Sequence, residues 1–242
     1  MIIKELNDSK VKLSLPKIVC DGIISDKIPH PLPNTSFFLA IIGAPGSGKS
    51  STAISLLTSR GLKKCYRKCF NHIYVVCPKH SLHSYANDPF KNHSDEKIYH
   101  ELNQENLEEI EAKLEKTSLE DETSLIFLDD VAIQLKDKTV QRSLNRIIAN
   151  RRHLRTSLII ISQSFRYMPL STRRLISHMI FFKAGNSKEK QLIHEEMLSH
   201  IDPKDFEKLY KHCFQDKHDH MMIDVANGNV YRNFNTIQLS DE

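Results

Sequence analysis

The run GAPGSGKSS, Gly43 to Ser51, constrains this chain more than any other nine residues in it. Gly43, Gly48, Lys49 and Ser50 satisfy the spacing G-x-x-x-x-G-K-[ST], between the apolar stretch Phe37–Ile42 and a helical pattern over Lys49–Ser59. Glycines let the backbone turn until successive N–H groups face one point, and the following helix adds the positive end of its dipole. The run therefore reads as a phosphate cradle formed by Gly43, Ala44, Pro45, Gly46, Ser47, Gly48, Lys49, Ser50 and Ser51. Lys49 is placed to reach the β and γ phosphates of ATP, and the Ser50 hydroxyl to bind Mg²⁺. The bland alternative is a glycine-rich turn that holds nothing.

A strand–loop–helix of this kind needs parallel neighbours, and the chain supplies them. Strand-length runs rich in Ile, Val and Phe recur at His72–Val76, Leu125–Leu128, Leu158–Ser162 and His178–Phe182. Helical patterns lie between and after them: Asn103–Lys116 with Leu107, Ile110 and Leu114 on one face, Val140–Asn150, Lys188–Ile201 and Pro203–Phe214. The alternation predicts an α/β fold with a mostly parallel sheet flanked by helices. Near the end, Asn227-Gly228 separates two short β-like runs and predicts a C-terminal β-hairpin. With 242 residues, 40% of them apolar, the chain can bury one sizeable core. We divide it into an extended, proline-containing lead-in, residues 1–35, and one nucleotide-binding domain, residues 36–242.

A phosphate loop alone does not separate an NTP-driven machine from a nucleotide kinase, and the next motif favours the former. SLIFLDD, Ser124–Asp130, is an apolar strand ending in two carboxylates. Asp129 would orient water on Mg²⁺, and Asp130 is placed to polarise the attacking water. A following strand ends at Gln163, where a polar side chain would face the γ-phosphate and report its presence. The bland readings are a helix cap and a strand terminator.

Charge is unevenly spread. Between Lys138 and Lys188 stand eight arginines (142, 146, 151, 152, 155, 166, 173 and 174) and three lysines with no acid, a block of +11 in a chain of net charge +4. Such a block suits a polyanion, although a solvated basic face would look the same. Arg151, Arg152 and Arg155 crowd together just before the Gln163 strand, and one of them is a candidate to complete a neighbouring subunit's site. Arg142 and Arg146 would share a helix face, while Arg166, Arg173 and Arg174 suit a contact with nucleic acid.

No apolar run approaches the length of a membrane span, and the first residues lack the continuous apolar core of a secretory signal, so a cytoplasm-like compartment is expected. The five cysteines, Cys20, Cys65, Cys69, Cys77 and Cys213, are odd in number and suit reduced thiols. Cys65 and Cys69, and the group His212, Cys213, His218 and His220, lack a CxxC or HExxH spacing and read as buried thiols and surface histidines.

The succession GAPGSGKS, SLIFLDD, NRRHLRTSLIIISQSFRYMP, HMIFFKAGN and a late YRNF resembles the poxvirus-type genome-packaging ATPases of large DNA viruses and virophages, a branch of the FtsK/HerA translocases. It covers roughly residues 37 to 234. The resemblance implies a RecA-like fold, ATP and Mg²⁺, a homo-oligomeric ring, and movement of double-stranded viral DNA into a preformed capsid. It also implies partners at a capsid or portal vertex and action in the viral factory of the host cytoplasm or on the virion, while the expected lack of a membrane segment and of a separate DNA-reading domain departs from the larger FtsK-type motors. Within it, Asp129 and Asp130 form the Walker B pair, Gln163 is the sensor, and the trans-acting arginine is one of Arg151, Arg152 and Arg155. The rival readings are a P-loop kinase acting on a small acceptor and a nucleic-acid-binding ATP switch with little turnover.

Overall fold

Strands whose central residues are apolar on both faces can be stable only with both faces covered. β1 (Phe38–Ile42), β4 (Ser124–Asp129) and β5 (Thr156–Ser162) are buried throughout. The computed structural model describes residues 22–60, 64–82 and 90–238, and shows what covers them. β2 (His72–Val76), β3 (Ile98–Tyr99) and β6 (His178–Phe182) join these three as parallel neighbours. β7 (His220–Asp224), β8 (Asn229–Arg232) and β9 (Asn235–Thr236) extend the sheet antiparallel from β6. The order is β3-β2-β4-β5-β1-β6-β7-β8-β9, so β5 lies between the strands that end in Asp129 and in the phosphate loop.

Alternation along β1 sorts the two layers. Phe38, Ala40 and Ile42 face a core built with α3 (Gln104–Leu119), α4 (Lys138–Ala149), α6 (Ser187–Met197) and α7 (Pro203–Cys213). Phe37, Leu39 and Ile41 face a second core with α1 (Lys49–Thr58), Tyr66 and Phe90. Ile28 and Leu32 belong to that second core, and the Tyr66 hydroxyl donates to the Pro33 carbonyl at 2.9 Å. The lead-in from residue 22 onward thus packs on the domain. Two short helices complete the set, α2 (Lys79–Leu82) after β2 and α5 (Leu170–Arg173) after β5.

The expected strands and helices appear with ends shifted by up to four residues. α4 starts earlier than its apolar periodicity because Asp137 caps it, accepting N–H bonds from Thr139 and Val140, a contribution of about 1 kcal/mol. α6 stops at Met197 because the chain must be extended at Asp202, which precedes Pro203 and caps α7. The expected hairpin is present as β7–β8. Patterning missed the two-residue β3 and β9 and the four-residue α2 and α5, each too short to show a period.

Candidate active site

β1 delivers the chain into a turn whose first N–H, that of Gly43, donates to the Ser162 carbonyl at the end of β5. Gly46 and Gly48 then take left-handed φ values of 73° and 106°. A side chain would strain both positions, and at Gly48 a Cβ would also sit 3.5 Å from the His218 ring and 3.6 Å from Phe182. α1 begins at Lys49 with no side-chain cap, so its first N–H groups remain available to an anion. Ser51, on the open side of that first turn, is exposed.

Lys49 is buried except for its approach to the turn, and its ammonium donates to the Ala44 carbonyl at 2.9 Å. Burial holds its pKa below the ordinary lysine value, against the pull of Asp129 and Asp130. The Ser50 hydroxyl donates to Asp129 Oδ2 at 3.3 Å, which joins the phosphate turn to the β4 end across the width of β5. Asp130, one residue on, has a left-handed φ of 57°, a conformation Asp tolerates better than most residues. Its Oδ2 accepts from Ser81 Oγ at 3.1 Å, and His80 Nε2 lies 3.8 Å away.

These groups share one cleft of about 380 Å³ with Ser162, exposed Gln163 and the apolar lip residues Ile133 and Tyr167. The parallel register explains the convergence, because β1, β4 and β5 all release their chains at the same edge of the sheet. The donor set fits Mg²⁺, a hard cation that takes a hydroxyl, a carboxylate and phosphate oxygens: Ser50 and Asp129 already touch. Sequence reasoning missed Ser81, His80, Tyr167 and Ile133, which sit on short elements without motifs. It also missed His218, whose Nδ1 lies 3.1 Å from the Ser47 carbonyl. Asp219, beside it, accepts from Gln215 and Asp216 N–H, Arg232 and Asn233, so its carboxyl is held far below the usual range.

The histidine group needs correction. His220 is no surface histidine: it is largely buried against Phe182 and Phe234, and burial lowers its pKa. Among the described residues, no three His, Cys, Asp or Glu side chains gather as a metal site. Cys65 and Cys69 are half-buried, with thiol pKa values raised by burial, and Cys20 lies outside the described residues. Among those residues no helix is long and apolar enough to cross a membrane.

The arginines separate by location. Arg151, Arg152 and Arg155 precede β5, and the site lies beyond its other end, about 20 Å away for seven extended residues. Arg151 is half-buried and donates to the Ile148 carbonyl at 3.0 Å, and Arg155 pairs with Asp121 at 3.3 Å. Arg152 is exposed. Acids from outside the basic block neutralise part of it. Arg146 makes a bidentate pair with Glu111 of α3 and Arg173 one with Glu196 of α6, while Arg142, Arg166 and Arg174 stay exposed.

A family model described as Poxvirus A32 protein matches residues 29–230. No curated protein sequence matches the chain. Among solved structures, the DNA-packaging ATPase B204 from Sulfolobus turreted icosahedral virus superposes with a TM-score of 0.60 at 17% identity, covering 84% of this chain and 98% of that one. The genome packaging NTPase B204 from Sulfolobus turreted icosahedral virus 2, in complex with AMPPCP, gives 0.57 at 16%, over 81% and 96%. ATPases 2 and 3 of EssC from Geobacillus thermodenitrificans give 0.53 at 13%, over 85% of this chain and 41% of that one. At such identities the likeness is one of fold: a P-loop NTPase fold with a mostly parallel sheet.

Proposed function

The chain belongs to the poxvirus A32 protein family, and from that premise we propose that it is an ATP-hydrolysing motor that moves double-stranded viral DNA into a preformed capsid. The observation that carries the reading is the cleft in which Lys49, Ser50, Asp129, Asp130 and Gln163 converge from three strands. Its relatives in fold include packaging enzymes solved with ATP-γS and AMPPCP. The motor works as a homo-oligomeric ring against a capsid vertex, in the viral factory of the host cytoplasm or on the virion.

In this mechanism the N–H groups of the Gly43–Ser51 turn bind the β and γ phosphates, and Lys49 exchanges its Ala44 carbonyl for phosphate oxygens. Ser50 and Asp129 would hold Mg²⁺, which would supply neutralisation of phosphate charge. Asp130, steadied by Ser81, draws a proton from the attacking water. Gln163 contacts the γ-phosphate. Arg152 of one subunit reaches the site of the next, because Arg151 and Arg155 are held by their own chain. Exposed Arg142, Arg166 and Arg174 meet DNA phosphates without reading bases.

The test is ATPase activity with and without duplex DNA of unrelated sequences. A motor shows severalfold stimulation by any duplex, and its DNA affinity falls tenfold or more between about 50 and 200 mM salt. Phosphate transfer to a small acceptor, indifferent to DNA, would establish a kinase instead.

A further inference from the structure

α6 begins Asn186-x-x-Glu189, a spacing in which the acid ordinarily turns back to close its own helix start. One half of that arrangement is present: Asn186 Oδ1 accepts the Glu189 N–H at 2.9 Å. The other half is redirected. Glu189 is buried, and its Oε1 accepts the backbone N–H of Phe165 at 2.7 Å, two residues beyond Gln163. A buried carboxylate is costly unless a specific partner needs it. Here the partner is the loop that carries a residue of the cleft.

α6 ties down the far end of the same loop as well. Arg173 gives Nε and Nη2 to both oxygens of Glu196, at 2.8 and 2.7 Å, and Nη1 to the Met168 carbonyl at 2.9 Å. Its guanidinium also lies 5.0 Å from the centre of the Phe165 ring, which is fully buried. At the near end, Ser162 Oγ donates to the Ser164 carbonyl at 2.8 Å. The loop is fixed on its core side at Phe165 and Met168, while Gln163 remains exposed in the cleft.

We propose that Glu189 is a positioning residue for Gln163: through the Phe165 N–H it sets how far the amide enters the cleft, and so lets the protein tell a nucleoside triphosphate from a diphosphate. This rests on the reading of the cleft as a nucleotide site, though not on turnover. A carboxylate that merely stabilised the fold would affect both nucleotides equally.

The experiment measures dissociation constants of ADP and of a non-hydrolysable ATP analogue for the full chain, for Glu189→Leu, Glu189→Gln, Glu196→Leu and Gln163→Ala. Glu189→Leu and Gln163→Ala are expected to lose about fivefold or more in the ratio of the two constants, with ADP affinity unchanged within about twofold. Glu189→Gln keeps an acceptor oxygen and retains the ratio. Glu196→Leu, which cuts the other tie, moves the ratio the same way by less, and it decides the matter if Glu189→Leu does not fold. An unchanged ratio in Glu189→Leu, or in Glu196→Leu when that variant decides, overturns the proposal. So does equal loss for both nucleotides, or a wild-type chain that does not discriminate between them. A wild-type chain that discriminates but never hydrolyses ATP would overturn the motor reading and leave this one standing.

Discussion

The two ends of the parallel strands are built in opposite ways. At the carboxyl end α1 starts without a side-chain cap, and Lys49, Asp129, Asp130 and Gln163 turn into a common cleft. At the amino end several polar groups pair with one another, although among the described residues Arg151 Nε and Arg155 Nε are buried without a hydrogen-bond partner. His72 lies 2.5 Å from Glu122 and 2.8 Å from Lys97, Arg155 meets Asp121, and His178 faces Asp224. One end gathers its charges around an open cleft, and the other pairs most of its charges and leaves Arg152 exposed. The contrast teaches where charge can act: Lys49 lies in its own chain's cleft, whereas the arginines before β5 lie at the opposite end of that strand.

The largest effect should come from the open end. Lys49→Ala is expected to abolish ATP turnover while far-UV circular dichroism stays that of the wild type, since the ammonium's hydrogen bond is to a loop carbonyl of the phosphate turn. Wild-type hydrolysis by this variant would break the comparison at its root. Asp130→Asn should follow, slowing hydrolysis by orders of magnitude with ATP binding largely intact, because Ser50 and Asp129 still touch. If Asp129→Asn and Asp130→Asn lose nucleotide affinity to the same degree, the two carboxylates do not divide the work.

Crossing the two ends gives an intermediate effect. Arg152→Ala should fold and bind ATP normally yet hydrolyse poorly, and mixing it with Lys49→Ala should restore part of the activity, as each variant supplies what the other lacks. With subunit exchange demonstrated by labelled chains, a mixture that stays inactive assigns the arginine elsewhere. The smallest effect belongs to the closed end. Asp121 is 89% exposed, so Arg155→Ala should cost only about 0.5 kcal/mol in a urea unfolding curve. A loss several times larger would show that the amino end depends on this pair for its stability.

What the sequence made legible was local or periodic. The Gly43–Ser51 turn could be read because positive φ and close approach require glycine at set spacings, and five strands could be read because double burial leaves runs of apolar residues at their centres. Even the hairpin followed from Asn227-Gly228, where Gly228 has a φ of 69°. How much of the basic block is paired was not legible, because counting along the chain omits acids from elsewhere. Glu111 and Glu196 reach Arg146 and Arg173 across 35 and 23 residues.

The sequence by itself therefore determined the alternating α/β plan, the phosphate turn and the two strand ends that carry Asp129 and Gln163. Only the tertiary structure decided that β5 lies between β1 and β4, that Ser81 and Tyr167 join the cleft, that Arg152 rather than its neighbours stays exposed, and that Glu189 leaves its own helix to hold Phe165. The physical reason is range. Backbone conformation and burial period are properties of a few consecutive residues, whereas a hydrogen bond or ion pair takes whichever partner packing brings within about 3 Å, with no regard to its place in the chain.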